Sequence, residues 1–180
     1  FYDFFEKDDI GKFGNLKIAY NIDDTWGASL LFEAINIAAK GKSSHGSIAG
    51  ISGTADEDWE FTSVPISVLY EFFPRGRENR FSPAIGIGPT LYISRMVRND
   101  VFTPVDSDTK SYTEVKDTQF GYGLQLYLGL QSSVNNRFFV NSRIQARLAE
   151  GMNIFDSQAG LDYEVDSNSV DFILGFGWRF

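Results

Sequence analysis

Residues Gln119 to Gln131 alternate without interruption. Phe120, Tyr122, Leu124, Leu126, Leu128 and Leu130 fall on one parity; Gln119, Gly121, Gly123, Gln125, Tyr127, Gly129 and Gln131 fall on the other. A period of two is the side-chain repeat of a β-strand, whereas a helix groups positions three and four apart. The run is about twice the usual ~5–6 residues of a strand in a soluble sheet. It suits a strand that crosses a bilayer at a tilt, which needs roughly 9–11. In a soluble barrel the apolar face would point inward, and large side chains from several such strands would overfill a narrow lumen. Small and polar residues inside, with Leu and Phe outside, fit lipid as the external solvent.

Six other segments follow the same rule. In Val170–Phe180 the residues Val170, Phe172, Leu174, Phe176, Trp178 and Phe180 oppose Asp171, Ile173, Gly175, Gly177 and Arg179. Ser82–Ser94 sets Pro83, Ile85, Ile87, Pro89, Leu91 and Ile93 against Ser82, Ala84, Gly86, Gly88, Thr90 and Tyr92. Thr62–Phe72 sets Val64, Ile66, Val68, Tyr70 and Phe72 against Ser63, Pro65, Ser67, Leu69 and Glu71. Arg137–Leu148, Trp26–Ala34 and the shorter Phe13–Tyr20 complete the set. The prolines are an objection, since Pro donates no ladder bond. On propensity, a helix over Leu30–Lys40 is the lesser alternative. No run of 18 apolar residues offers a transmembrane helix. Residues 1–15 carry Asp3, Glu6, Asp8 and Asp9 where a signal peptide needs an apolar core.

The connections alternate in length. Asn21–Thr25, Phe73–Asn79 and Ser132–Asn136 are short; Asn36–Asp58, Arg98–Thr118 and Ala149–Ser169 are long. Short turns on one side and long loops on the other are the layout of outer-membrane barrels, with the short turns periplasmic. Counting back from the end gives seven strands and a stub, Phe1–Glu6. An even number requires one more strand, supplied by that stub or by sequence beyond it. The expected fold is therefore all-β: one domain over residues 1–180, an eight-stranded antiparallel transmembrane β-barrel whose first strand is short or partly missing.

At this point the chain resembles the small eight-stranded outer-membrane barrels of Gram-negative bacteria, the group around outer-membrane proteins A, X and W. Leu16–Ala28, with Ala19-Tyr20-Asn21-Ile22-Asp23-Asp24-Thr25-Trp26-Gly27, resembles that family's second strand, first periplasmic turn and third strand. Val64–Gly88, turning at Phe73-Pro74-Arg75-Gly76-Arg77, resembles its next hairpin. The end resembles the family's C-terminal signal, which implies that Phe176, Trp178 and Phe180 are read by the barrel assembly machinery. The likeness covers Phe13 to Phe180 as pattern. It speaks for architecture and says little of activity, because this fold hosts anchors, adhesins, small channels and lipid-modifying enzymes.

By parity, the charges facing the lumen are Lys17, Glu33, Glu71, Arg143, Arg147, Asp171 and Arg179. Arg147 and Asp171 stand near the outer ends of neighbouring strands, placed to pair. Eight strands leave an interior only wide enough for side chains. A packed ion-pair network is the expectation, with a gated pore as the alternative. Gln125, also inward, is expected to tolerate replacement by Arg better than its lipid-facing neighbours Leu124 and Leu126. Outside, Arg95 extends the series of Leu91 and Ile93, and Arg98 follows where a loop is expected. Both are candidates for contact with lipopolysaccharide phosphates, which favour planar bidentate donors. A snorkelling side chain is the competing reading for each.

Other chemistry is sparse. Lys and Arg total 16 against 24 Asp and Glu, a net charge of −8, which argues against nucleic acid as a partner. The absence of Cys excludes thiolate sites, and a single His, His45, excludes a His cluster on metal. Asp106-Ser107-Asp108, with Asp117 in twelfth place, begins like a calcium loop, but Lys110 and Ser111 break it. Asp56, Glu57 and Asp58, then Asp100, Asp106, Asp108, Glu114 and Asp117, then Glu150, Asp156, Asp162, Glu164 and Asp166, read as solvated loops. His45 and Ser47 have the spacing of the pair in lipid A deacylases of this barrel size, yet they lie in a Gly/Ser-rich stretch expected to be a loop. No catalytic residue, metal or cofactor is expected. The expected protein is a monomeric, non-enzymatic anchor or surface scaffold of the bacterial outer membrane, with its lipids, lipopolysaccharide and the assembly machinery as partners. A narrow conduit for small hydrophobic molecules is the second reading, and a lipid A-modifying enzyme the third.

Overall fold

A computed structural model describes residues 12–40, 44–48, 51–105, 110–150, 153–156, 161–164 and 168–179. Among them every regular element is a strand. These are β1 (Lys12–Asn21), β2 (Trp26–Lys40), β3 (Ser44–Ile48), β4 (Ile51–Phe72), β5 (Phe81–Pro104), β6 (Ser111–Ser133), β7 (Phe138–Glu150), β8 (Asn153–Asp156), β9 (Leu161–Glu164) and β10 (Ser169–Trp178). The main sheet runs β1-β2-β4-β5-β6-β7-β10, with β3 added to β4, and β8–β9 is a separate hairpin. All its pairings are antiparallel; β2 meets β4 past the added β3, β7 meets β10 past the β8–β9 pair, and the rest join chain neighbours, the pattern of a meandering barrel wall. The stub Phe1–Glu6 lies outside the described residues.

Burial alternates as the sequence requires. In β4, Ser63, Ser67, Leu69 and Glu71 are buried, while Val68 and Tyr70 stand exposed on the outer wall. In β6 the outward series from Phe120 to Leu130 is exposed throughout, and Gln125 and Tyr127 are buried. That stretch of tilted strand rises roughly 25 Å, the height of the apolar band on such barrels. At its lower edge Trp26 stacks on Tyr70 at 5.0 Å and meets Phe72 at 4.5 Å, and Trp178 meets Phe138 edge-on at 4.5 Å. Aromatic rings at that level form the girdle at a membrane interface.

The turns at this end share one chemistry. The Asp23 carboxylate accepts the amides of Thr25 and Trp26 at 2.6 and 2.7 Å, and the Asn135 side chain accepts those of Arg137 and Phe138, each at 2.8 Å. Both are Asx turns. The third turn, Phe73–Arg80, folds back at Gly76, whose φ of 75° suits glycine. Its Arg77 amide donates to the Asp24 carboxylate at 2.9 Å, which ties this turn to the one at Asp23.

One alternative falls and two expectations are corrected. Leu30–Lys40 is strand, because cross-strand pairing with residues 12–18 of β1 and 58–68 of β4 outweighs its helix propensity. The long connections are largely strand too: β4, β5 and β6 have 22, 24 and 23 residues. A strand of that length reaches about 80 Å, far beyond a bilayer. Above the membrane the outward face meets water instead of lipid, so the apolar alternation that marks a strand lapses there while the backbone ladder continues. Asp56, Glu57 and Asp58 therefore lie in β4, Asp100 in β5, and Glu114 and Asp117 in β6. His45 and Ser47 lie in β3, opposite Thr54 and Ser52. The prolines are accommodated one side at a time. Pro65 pairs with Tyr92 and Pro89 with Leu124, and in each case the ladder to the other neighbour lapses.

Candidate functional site

Because β1, β2, β4, β6, β7 and β10 send their odd-numbered residues inward, strands far apart in the sheet meet inside it. Glu33 of β2 is the centre of one cluster. Arg147 of β7 grips it with a two-point fork, Nε to Oε2 at 3.1 Å and Nη2 to Oε1 at 2.9 Å. Gln145 donates to Glu33 Oε1 at 3.0 Å, and Arg143 stands 3.7 Å from the same oxygen. The third nitrogen of Arg147 donates to Asp171 and, at 3.0 Å, to Ser169. The chain of bonds continues through uncharged groups. Gln125 donates to Gln145 at 3.0 Å, Ser67 donates to Gln125 at 2.5 Å, and Ser67 and Thr90 share a bond at 2.8 Å.

Glu71 of β4 is the centre of the second cluster. Lys17 of β1 and the Tyr127 hydroxyl of β6 both donate to it, and Arg77 lies 3.7 Å away. Lys17 and Arg143 both lie over the Tyr127 ring, at 5.2 and 5.7 Å from its centre. Glu33 and Glu71 are almost wholly removed from solvent, at 1% and 0% exposure. A buried carboxylate is tolerable only with such partners. Leu31, Leu69, Phe73, Ala84 and Tyr127 pack as an apolar layer beside this cluster, and Phe73 carries the Arg77 guanidinium 3.9 Å over its ring.

Glycine makes room for the filling. A Cβ on Gly27 would lie 1.8 Å from Arg77 Nη2, one on Gly86 2.0 Å from the Tyr127 ring, and one on Gly177 2.0 Å from Phe139. Each ring or guanidinium therefore fills the space that a side chain would take at the glycine.

The structure thus brings Glu33, Arg143, Arg147 and Asp171 into one cluster and Lys17 and Glu71 into the other. Arg179 stands apart, donating to the Arg77 carbonyl at 2.9 Å and to Ser133 at 3.2 Å. Reading by charge missed Gln125, Tyr127, Gln145, Ser67 and Thr90. Their inward parity was legible, but an uncharged side chain gives no sign that it joins a network. Arg77 was missed because parity has no meaning in a turn.

On the outer wall Arg95 is exposed and continues the outward series. Arg98 does not accompany it. With β5 running on to Pro104, Arg98 takes the opposite parity, where it binds Asp100 at 3.0 Å and lies 5.4 Å over the Trp59 ring. Phe176 and Trp178 face outward, and Phe180 lies outside the described residues. Asp106 and Asp108 also lie outside them. Asp117 accepts from Gln119 at 2.8 Å within β6, and no cluster of three metal-ligating side chains occurs among the described residues.

A family model described as an outer membrane protein beta-barrel domain matches residues 2–180. No curated protein and no solved structure gave a match.

Proposed function

Since this chain belongs to the outer-membrane β-barrel family, we propose that it is a non-enzymatic integral barrel whose lumen is closed by its own charges and whose outer strands serve as a surface scaffold. The observation that carries this reading is the lumen network. Five cations (Lys17, Arg77, Arg143, Arg147 and Arg179) and three carboxylates (Glu33, Glu71 and Asp171) meet one another or neighbouring polar groups across the interior. Ionisable groups locked together in this way serve packing, whereas a nucleophile or general base needs a free, aimed atom. The height of β4, β5 and β6 supports the scaffold part, since they carry backbone well beyond the lipid band. Outer-leaflet lipids, lipopolysaccharide and the barrel assembly machinery are the partners this reading implies.

Wild-type protein in planar bilayers is expected to give rare, small openings. Large steady currents would overturn the closed lumen. A second reading, a conduit for small hydrophobic molecules, has one observation in its favour. Among the described residues, β1 and β10 each pair on one side only. Detergent or fatty acid protected from exchange inside the folded barrel would favour that conduit.

A further inference from the structure

We propose that Arg95, Lys116 and the hydroxyls of Thr62 and Thr118 form a docking site on the outer wall for the phosphorylated head group of an outer-leaflet glycolipid. This rests on the membrane reading above and names a partner for it. The register sets these residues together. Val64, Ile93 and Phe120 are cross-strand partners and make the last apolar row of β4, β5 and β6. One step outward along the same face, Thr62, Arg95 and Thr118 are partners. Another step brings Glu60, Val97 and Lys116. Polarity therefore changes at one level on three strands, which fixes the edge of the lipid band. Arginine is costly at mid-membrane but cheap at that edge.

The chemistry fits one ligand class. Arg95 makes no ion pair among the described residues and offers a planar fork to phosphate oxygens. Lys116 lies diagonally from it on the same face, within reach of a long side chain. Its pair with Glu114, at 2.6 Å, is half exposed on both sides and so contributes little to hold it. Thr62 accepts from Asn36 at 3.0 Å, which leaves its own proton to donate. Besides Glu114, the acid nearest on this face is Glu60, which accepts from the same Asn36 at 3.0 Å. An amphiphile with phosphate directly above its acyl chains satisfies the cations and the apolar row together, whereas free phosphate meets only the first.

The test uses the full chain folded in phosphatidylcholine vesicles, with lipid A added in increasing amounts. The midpoint of the heat-induced shift in gel mobility is expected to rise and saturate with lipid A, and to stay unchanged with its dephosphorylated form. In the double variant Arg95→Gln, Lys116→Gln, the lipid A needed for half of that rise is expected to increase about tenfold, as loss of charge-assisted hydrogen bonds predicts. Arg98→Gln is expected to respond like wild type. An equal response to dephosphorylated lipid, or a double variant that responds like wild type, overturns the site alone. A chain that shows no heat-modifiable form in any vesicle overturns the membrane reading and the site with it.

Discussion

At the scale of single residues, Glu33 holds the most. It accepts from Arg147 twice and from Gln145, with Arg143 beside it. Removing it leaves two buried guanidinium groups short of a counter-charge, so Glu33→Ala is expected to destabilise the barrel by about 3–5 kcal/mol in urea unfolding from bilayers. Combining it with Arg147→Ala should cost less than the two separate losses added, because the second change removes a charge the first had orphaned. Additive losses would show that the pair is not coupled. Gly86 supplies a test that changes no charge. A methyl there strikes the Tyr127 ring at 2.0 Å. Gly86→Ala should therefore cost about 1–3 kcal/mol by overpacking and push the hydroxyl off Glu71. Of this site the sequence displayed the charges and their parity. It concealed the partners, because a contact such as Glu33 to Arg147 joins strands separated by most of the chain and depends on how the sheet curls.

At the scale of the strand, parity decides cost. Leu126 faces outward, exposed on the wall, and Leu126→Arg is expected to destabilise by roughly 2–4 kcal/mol when measured in a bilayer. The burial of Gln125 removes the ground for expecting Gln125→Arg to be the milder change. Gln125 is fully buried, bonded to Ser67 and Gln145, and an arginine there adds a cation to a lumen already rich in them. Comparable losses at both positions are now expected, while Gln125→Ala should be milder than either. In the last strand, Phe176 and Trp178 project outward, with Trp178 against Phe138. Deleting Phe180 should lower the yield of heat-modifiable protein in the outer membrane, and undiminished yield would count against its part in assembly. The membrane-spanning strands were legible because lipid imposes a strict period. The outer extensions were not. Where β5 passes Arg95 the outward face leaves lipid for water, and residues such as Asn99, Asp100 and Val101 carry no apolar pattern for the ladder that holds them.

At the scale of the whole molecule, the question is what closes the lumen. The wall alone sets only a width, and eight strands bring opposing side chains into contact. In the function proposed above, closure comes from pairs that span the interior: Glu33 of β2 with Arg147 of β7, and Lys17 of β1 with Glu71 of β4 and Tyr127 of β6. The apolar layer of Leu31, Leu69 and Phe73 lies alongside the second of these. Breaking one pair opens only part of the section. Arg147→Ala is expected to lower stability and to admit water around Glu33, but the Glu71 cluster and the apolar layer still block the path. Conductance should then rise only modestly over the rare wild-type openings. Arg147→Ala combined with Tyr127→Ala removes a spanning side chain from each cluster. That double variant should conduct distinctly more than either single variant in planar bilayers, with stability falling in step. If Arg147→Ala alone gives steady large currents, the two clusters are not barriers in series. If the double variant remains as quiet as wild type, the seal lies elsewhere in the chain.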